Sequence, residues 1–280
     1  MERCILLFFI FFLLASSAFG AQSTITESDG YACMGEDRTK RQTEEVALQD
    51  AKKKAVEQVS TYIQSETQVK DFELQRDIVN AYANAKVKII EQSGRWDSEP
   101  PKVGDCYRIK IKAEVIPDEE AMKRIVQSKA MEDPSGPLTV KVWTDKKEYR
   151  KGERIKIYIK GNKPFFAVVL YKDASGKLLQ LLPNPYRVDN YFNGGVIYEI
   201  PSGNDRFDLE VIPPFGEEHI ILYTSTSKLG ELDKEPEGAV YRVKTTEKGI
   251  GVVTRGVAIT QKDKPIPSEF VEERVTIKTR

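Results

Sequence analysis

The spacing of apolar residues changes character once along this chain, at Asp133-Pro134-Ser135-Gly136-Pro137. Before that point Ala47, Ala51, Ala55, Val59 and Ile63 recur every four residues, which marks one face of an α-helix. After it, Leu138, Val140 and Val142, and then Ile155, Ile157 and Ile159, alternate with other residues, which marks half-buried strands. The prolines and glycine at the break read as a linker. A chain of 280 residues accommodates one large or two modest domains. The pattern predicts an α+β domain over 21–132, a linker at 133–137 and an all-β domain over 138–280.

Within the first region, residues 29–34 read as a short strand. Thr43 is placed to cap a helix carrying the alanine stripe, with Lys52, Lys53, Glu57 and Gln58 on its wet side. Alanines at the stripe imply close approach to a sheet beneath. A second helix is expected over 72–85. Val87, Ile89 and Ile90 then form a strand, hairpinned to an alternating one that presents Tyr107, Ile109, Ile111, Ala113 and Val115 on one face. The order is β-α-α-β-β, with helices on one side of a small sheet. Pro117 suits the start of a further helix whose apolar residues are Ala121, Met122, Ile125 and Val126. A glycine-bearing strand, a helix with alanines four apart and a closing alternating strand resemble the N-terminal domain of flagellar assembly protein T and related small envelope lipoproteins. Those lipoproteins carry a lipidated cysteine after the signal and this chain does not, so the resemblance brings no membrane anchor.

In the second region, Phe165 to Tyr171 is a near-continuous apolar strand, and Asp173-Ala174-Ser175-Gly176 turns it back into Leu178 to Leu182. Further strands are expected near 196–200, 207–211, 219–223, 240–244, 252–259 and 271–277, a spacing typical of a β-sandwich. The series Trp143, Tyr149-x-x-Gly152-Glu153, Tyr171-x-Asp173-x-x-Gly176, Leu182-Pro183-Asn184, Gly195, Ile200-Pro201, Phe207 and Pro213-Pro214-x-Gly216 resembles the bacterial family called domain of unknown function 4384. The resemblance spans about 138–230. It implies an immunoglobulin-like sandwich and brings no activity or catalytic residues.

The start of the chain reads as an export signal at 1–20: Arg3, an apolar run from Ile5 to Leu14, and Ala18-Phe19-Gly20 before a cleavage site ahead of Ala21. The alternative is an uncleaved anchor, which the short run disfavours. The chain is then periplasmic or secreted. Cys33 and Cys106 remain, and an even pair in an exported protein invites a disulfide; two unpaired thiols on separate strands are the alternative. Lys and Arg total 43, and so do Asp and Glu, leaving no basic excess to drive nucleic-acid binding.

Sites are sparse. His219 is the one histidine, and a strand-end role outweighs a triad because no Gly-x-Ser-x-Gly elbow is present. One histidine with two cysteines argues against a zinc site, and no calcium loop or phosphate-binding glycine motif occurs. No catalytic residue, metal or cofactor is therefore expected. Tyr186, Arg187, Tyr191 and Phe192, in the loop that Pro183-Asn184-Pro185 launches, have the composition of an interaction hot spot. Trp96 is a second aromatic candidate, in the turn of the first domain. For both, packing over the adjoining strands is the competing role. The expectation is a non-catalytic accessory or adaptor of the bacterial envelope that works through protein contacts, with no nucleic acid partner and no stable membrane insertion. A module binding glycan or cell-wall material through residues 186–192 is the second expectation.

Overall fold

The computed structural model describes residues 21–66, 72–122, 132–255, 260–261 and 264–280. The expected export signal at 1–20 and the apolar positions Ile125 and Val126 of the expected further helix lie outside them. The chain is mostly antiparallel sheet with few helices, curled like a sandwich. It begins with β1 (Ala21–Cys33), α1 (Lys40–Glu66), α2 (Phe72–Ala83), β2 (Lys86–Trp96) and β3 (Cys106–Ile116). It continues through β4 (Val140–Thr144), β5 (Glu148–Tyr149), β6 (Ile157–Gly161), β7 (Phe165–Lys172), β8 (Leu178–Leu182), β9 (Tyr191–Phe192) and β10 (Ile197–Ile200). It ends with β11 (Glu217–Ser225), β12 (Lys234–Glu237), β13 (Val240–Val243), α3 (Glu247–Thr254), the short pair β14 (Thr260–Gln261) and β15 (Lys264–Pro265), and β16 (Ser268–Thr279).

One long sheet runs β12-β13-β8-β7-β11-β16-β1-β3-β2, and a small sheet runs β10-β6-β4. The strand β16 is the joint. Its first residues pair with Ala21–Ile25 of β1, while residues 270–278 pair with β11. On one side of the long sheet α1 and α2 cover β1 and β3, burying the alanine stripe with Ile78, Ala81, Tyr82, Ile109, Ile111 and Ala113. On the same side the small sheet covers β7, β8, β11 and β16 around Phe165, Val169, Leu182, Ile220 and Leu222. The other side is covered at its centre by α3 and residues 229–232, over Ile25, Leu170, Ile221, Tyr223 and Phe270.

Helix α1 approaches β1 closely because Gly30 has no side chain: a Cβ there would lie 1.9 Å from the Ala47 carbonyl oxygen. Its cap is Thr39 and not Thr43. The Thr39 hydroxyl accepts from the Gln42 amide (3.3 Å) and the Gln42 side chain accepts from the Thr39 amide (2.8 Å), a reciprocal capping box. Thr43 is already one turn inside, buried, with its hydroxyl on the Thr39 carbonyl. Residues 252–254, expected in a strand, form the end of α3, because the Thr246 hydroxyl caps the Gly249 amide and nucleates a helix there. Near 207–211 there is only a bridge between Arg154 and Glu210, flanked by backbone bonds from Val211 to Glu153 and from Ile155 to Leu209. The break at 133–137 is packed down: the Asn162 side-chain amide donates to the Asp133 and Pro137 carbonyls, both at 2.9 Å.

At the seam between the helices and the small sheet sits Glu269, which is buried. It accepts from Lys163 Nζ at 2.9 Å and from the Leu138 amide. The Gln22 side chain donates to the Leu138 carbonyl at 3.0 Å, so β1, the chain after the break and β16 are bonded around one carboxylate. Glu269→Ala leaves the Lys163 ammonium largely buried without its counter-charge. The expected loss is about 3 kcal/mol of unfolding free energy, read from the urea midpoint at unchanged slope.

Candidate functional site

The loop after β8 is shaped by Asn184. Its side-chain amide donates to the Leu181 carbonyl (2.7 Å), and its oxygen accepts from the Tyr186 and Arg187 amides (both 2.8 Å). This Asx turn throws the next side chains outward. Tyr186 is 53 % exposed and Val188 77 %. Arg187 turns back instead: Nη1 lies 3.0 Å from Asp205 Oδ2, and the guanidinium sits 5.6 Å from the Phe192 ring centroid. In β9, Tyr191 pairs with Phe166 and Phe192 with Phe165. Tyr191 stays 44 % exposed against the Phe166 ring. Phe192 points the other way, stacks on Phe165 at 5.3 Å and meets the edge of Tyr198 at 4.9 Å. It is fully buried, so it is a core residue and not a contact residue.

Trp96 is likewise no free aromatic. It is 9 % exposed, packs against Tyr107 at 5.3 Å, and donates its indole N–H to Glu44 at 2.9 Å. It locks β2 to α1 and lies in an edge strand five strands along the long sheet from β7, against which β9 of the 186–192 loop pairs. Tyr186 and Tyr191 thus remain as accessible members of the expected set, with Arg187 holding the loop.

Two surface features were not singled out from the sequence. Ile197, 58 % exposed, opens β10, which pairs with β6 on one side and with no other strand among the described residues. On the outer face of the small sheet, Trp143 of β4 lies opposite Tyr158 of β6, ring centroids 5.6 Å apart and nearly parallel. Both rings are half-buried, and Glu199 is the third member of the row, paired with Lys156 at 2.7 Å. Alternation carried this signal. Val142, Ile157 and Ile159 point into the core, so their neighbours Trp143 and Tyr158 point out.

His219 bonds through Nδ1 to Thr276 Oγ1 at 3.0 Å, and Nε2 lies 3.8 Å from Glu217. Ser225 is six residues along the same strand, roughly 20 Å away, so the two do not meet. Next to His219, the Tyr171 hydroxyl donates to the buried Glu218 carboxylate. Burial, and then that bond, push the Tyr171 hydroxyl far above the usual phenol range, so it is a fixed neutral donor. Tyr149 behaves alike at the base of the sandwich, raised by burial and by its bond to Asp145 at 2.7 Å. Among the described residues no three His, Cys, Asp or Glu side chains come together as a metal set. Cys33 and Cys106 are joined by a disulfide between directly opposed positions of β1 and β3.

The two faces of β9 separate packing from display. Phe192→Ala is expected to cost about 3–5 kcal/mol of stability. Tyr186→Ala and Val188→Ala are expected to stay within about 0.5 kcal/mol, as measured by denaturant unfolding. Residues 148–228, which include the 186–192 loop and β10, match a family model described as "Domain of unknown function (DUF4384)". No curated protein and no solved structure matches the chain. What the chain is similar to is therefore a family without an assigned activity, across the strands that carry the candidate surface.

Proposed function

We propose that this protein is an exported, non-catalytic accessory or adaptor of the bacterial envelope, and that it works by holding a partner protein. The reading combines the export signal at 1–20, an immunoglobulin-like sandwich in the second half, and a β-α-α-β-β unit akin to envelope modules in the first. The observation that carries it is the edge of β10 that no other described strand pairs with, opened by exposed Ile197 and followed by Asp205, which Arg187 ties to the loop displaying Tyr186 and Val188. An unpaired strand edge next to apolar and aromatic side chains is suited to accepting an extended partner segment by strand addition. Natural proteins blunt edges with charge or proline; Glu199 and Pro201 do so at the end of β10, which leaves Ile197 at its start as the open apolar position.

The expected outcome is capture of a reproducible protein partner when the tagged mature chain is crosslinked in intact envelopes. Capture falls by about tenfold or more when Val188→Asp and Ile197→Asp are combined, because a charge buried at the contact is costly. Absence of any reproducible partner, or capture indifferent to both substitutions, sinks the reading. A second reading is binding of glycan or cell-wall material, and the paired Trp143 and Tyr158 rings on an outward sheet face are what favours it. Sedimentation with purified peptidoglycan that is lost in Trp143→Ala, with partner capture unaffected, would select it.

A further inference from the structure

The long sheet is covered on both sides at its centre, but at its far end, at residues 29–31 of β1, 108–110 of β3 and 93–95 of β2, the side away from α1 faces solvent. Register defines rows of side chains on that open face. One row is Tyr31, Arg108 and Arg95, and the next is Asp29, Lys110 and Ser93. Arg95 and Arg108 are directly opposite each other, an arrangement in which like charges repel. Arg108 has partial relief from Asp97 at 3.6 Å and from the Tyr31 ring at 4.8 Å. Arg95 has no ion-pair partner among the described residues. Between the rows lies a cleft of about 430 Å³, lined by both rows, by the backbone of Gly30, Ile109 and Gly94, and by Lys54 of α1.

Two of the acids near the cleft already have partners. Asp50 is held by Lys54 at 2.7 Å and by the Tyr31 amide at 3.1 Å. Glu27 binds Lys110 at 2.9 Å, and Asp29 is the one carboxylate in the lining. What is left is Arg95 without a counter-charge and Arg108 only partly relieved, with the Ser93 hydroxyl, the Glu27-paired Lys110 ammonium and an exposed phenol ring at their side. Several donors converging from two strands fit a tetrahedral oxyanion, which offers acceptors in several directions.

We propose that this cleft is a binding site for a phosphate group, gripped between Arg95 and Arg108 and flanked by Ser93 and Lys110. The phosphate belongs either to a small diffusible phosphoester or to an anionic lipid headgroup. The site is separate from the β10 edge and does not rest on the adaptor reading.

The test is a titration of the disulfide-intact chain with inorganic phosphate at fixed ionic strength, following the backbone amide resonances of Ser93, Arg95, Arg108 and Lys110. Flotation with phosphatidylglycerol-containing vesicles and with phosphatidylcholine vesicles runs in parallel. The expected result is a saturating response that weakens about tenfold or more in Arg95→Gln and in Arg108→Gln. Arg95→Lys, which keeps the charge, retains most of it. Asp97→Asn strengthens it by freeing Arg108. Saturation without flotation assigns a diffusible phosphoester; arginine-dependent flotation with phosphatidylglycerol alone assigns a headgroup. The proposal is overturned if neither occurs, or if the phosphate response is the same in both glutamine variants while their thermal unfolding matches the parent chain.

Discussion

Everything in this molecule leans on the double pairing of β16. Its first residues lie against β1 and the rest against β11, so one strand carries the hydrogen-bond ladder from the helix-covered part of the sheet into the sandwich-covered part. Glu269, within the shared stretch, places a negative charge in the seam, and Lys163 and the Leu138 amide converge on it. The side chain fixes a position as well as contributing energy. A buried carboxylate tolerates only the register that brings its donors into reach, whereas an apolar residue would accept several.

The other side of the sheet has a second charged fastening. Arg255, at the end of α3, donates through Nε to Glu114 at 2.5 Å and through Nη1 to the Gly251 carbonyl at 2.6 Å. Its guanidinium lies 4.0 Å from the Phe270 ring centroid. Ser23 donates to the same carboxylate at 2.7 Å, and Lys88 stands 3.5 Å away. A short helix of eight residues would be marginal by itself. It is held because Ile250 and Val253 reach an apolar cluster while Glu247, at its start, meets Lys172 and Arg274.

Much of this was legible in the sequence wherever an apolar period was clean. The alanine stripe of α1, the alternation of β3 and the dense runs of β7 and β8 are all where the pattern put them. The first half of β1 was not, because Ser23, Thr24, Thr26 and Ser28 look like an exposed segment. They are buried because each hydroxyl has a partner: Glu114, Tyr82, Gln58 and the Ala51 carbonyl. Satisfied polar groups bury cheaply, and no periodicity records the partner. The candidate loop was legible as a loop, yet composition did not separate Tyr191, which is displayed, from Phe192, which is core. That distinction came from the pairing of β9 with β7. The Arg95–Arg108 row was invisible for the same reason: cross-strand neighbours are a fact of register.

The pairing of Ala21 with Glu272 also bears on when this protein becomes a protein. The two residues are separated by roughly 250 positions, so the sheet closes only after nearly the whole chain is available, and closure carries the entropy of a very long loop. Contacts of such separation form slowly. Until residues 268–272 arrive, β1 has β3 on one side and an open ladder on the other. A chain built this way keeps an unpaired β1 edge for as long as its last strand is withheld, so the order of synthesis sets the moment at which the sheet can close.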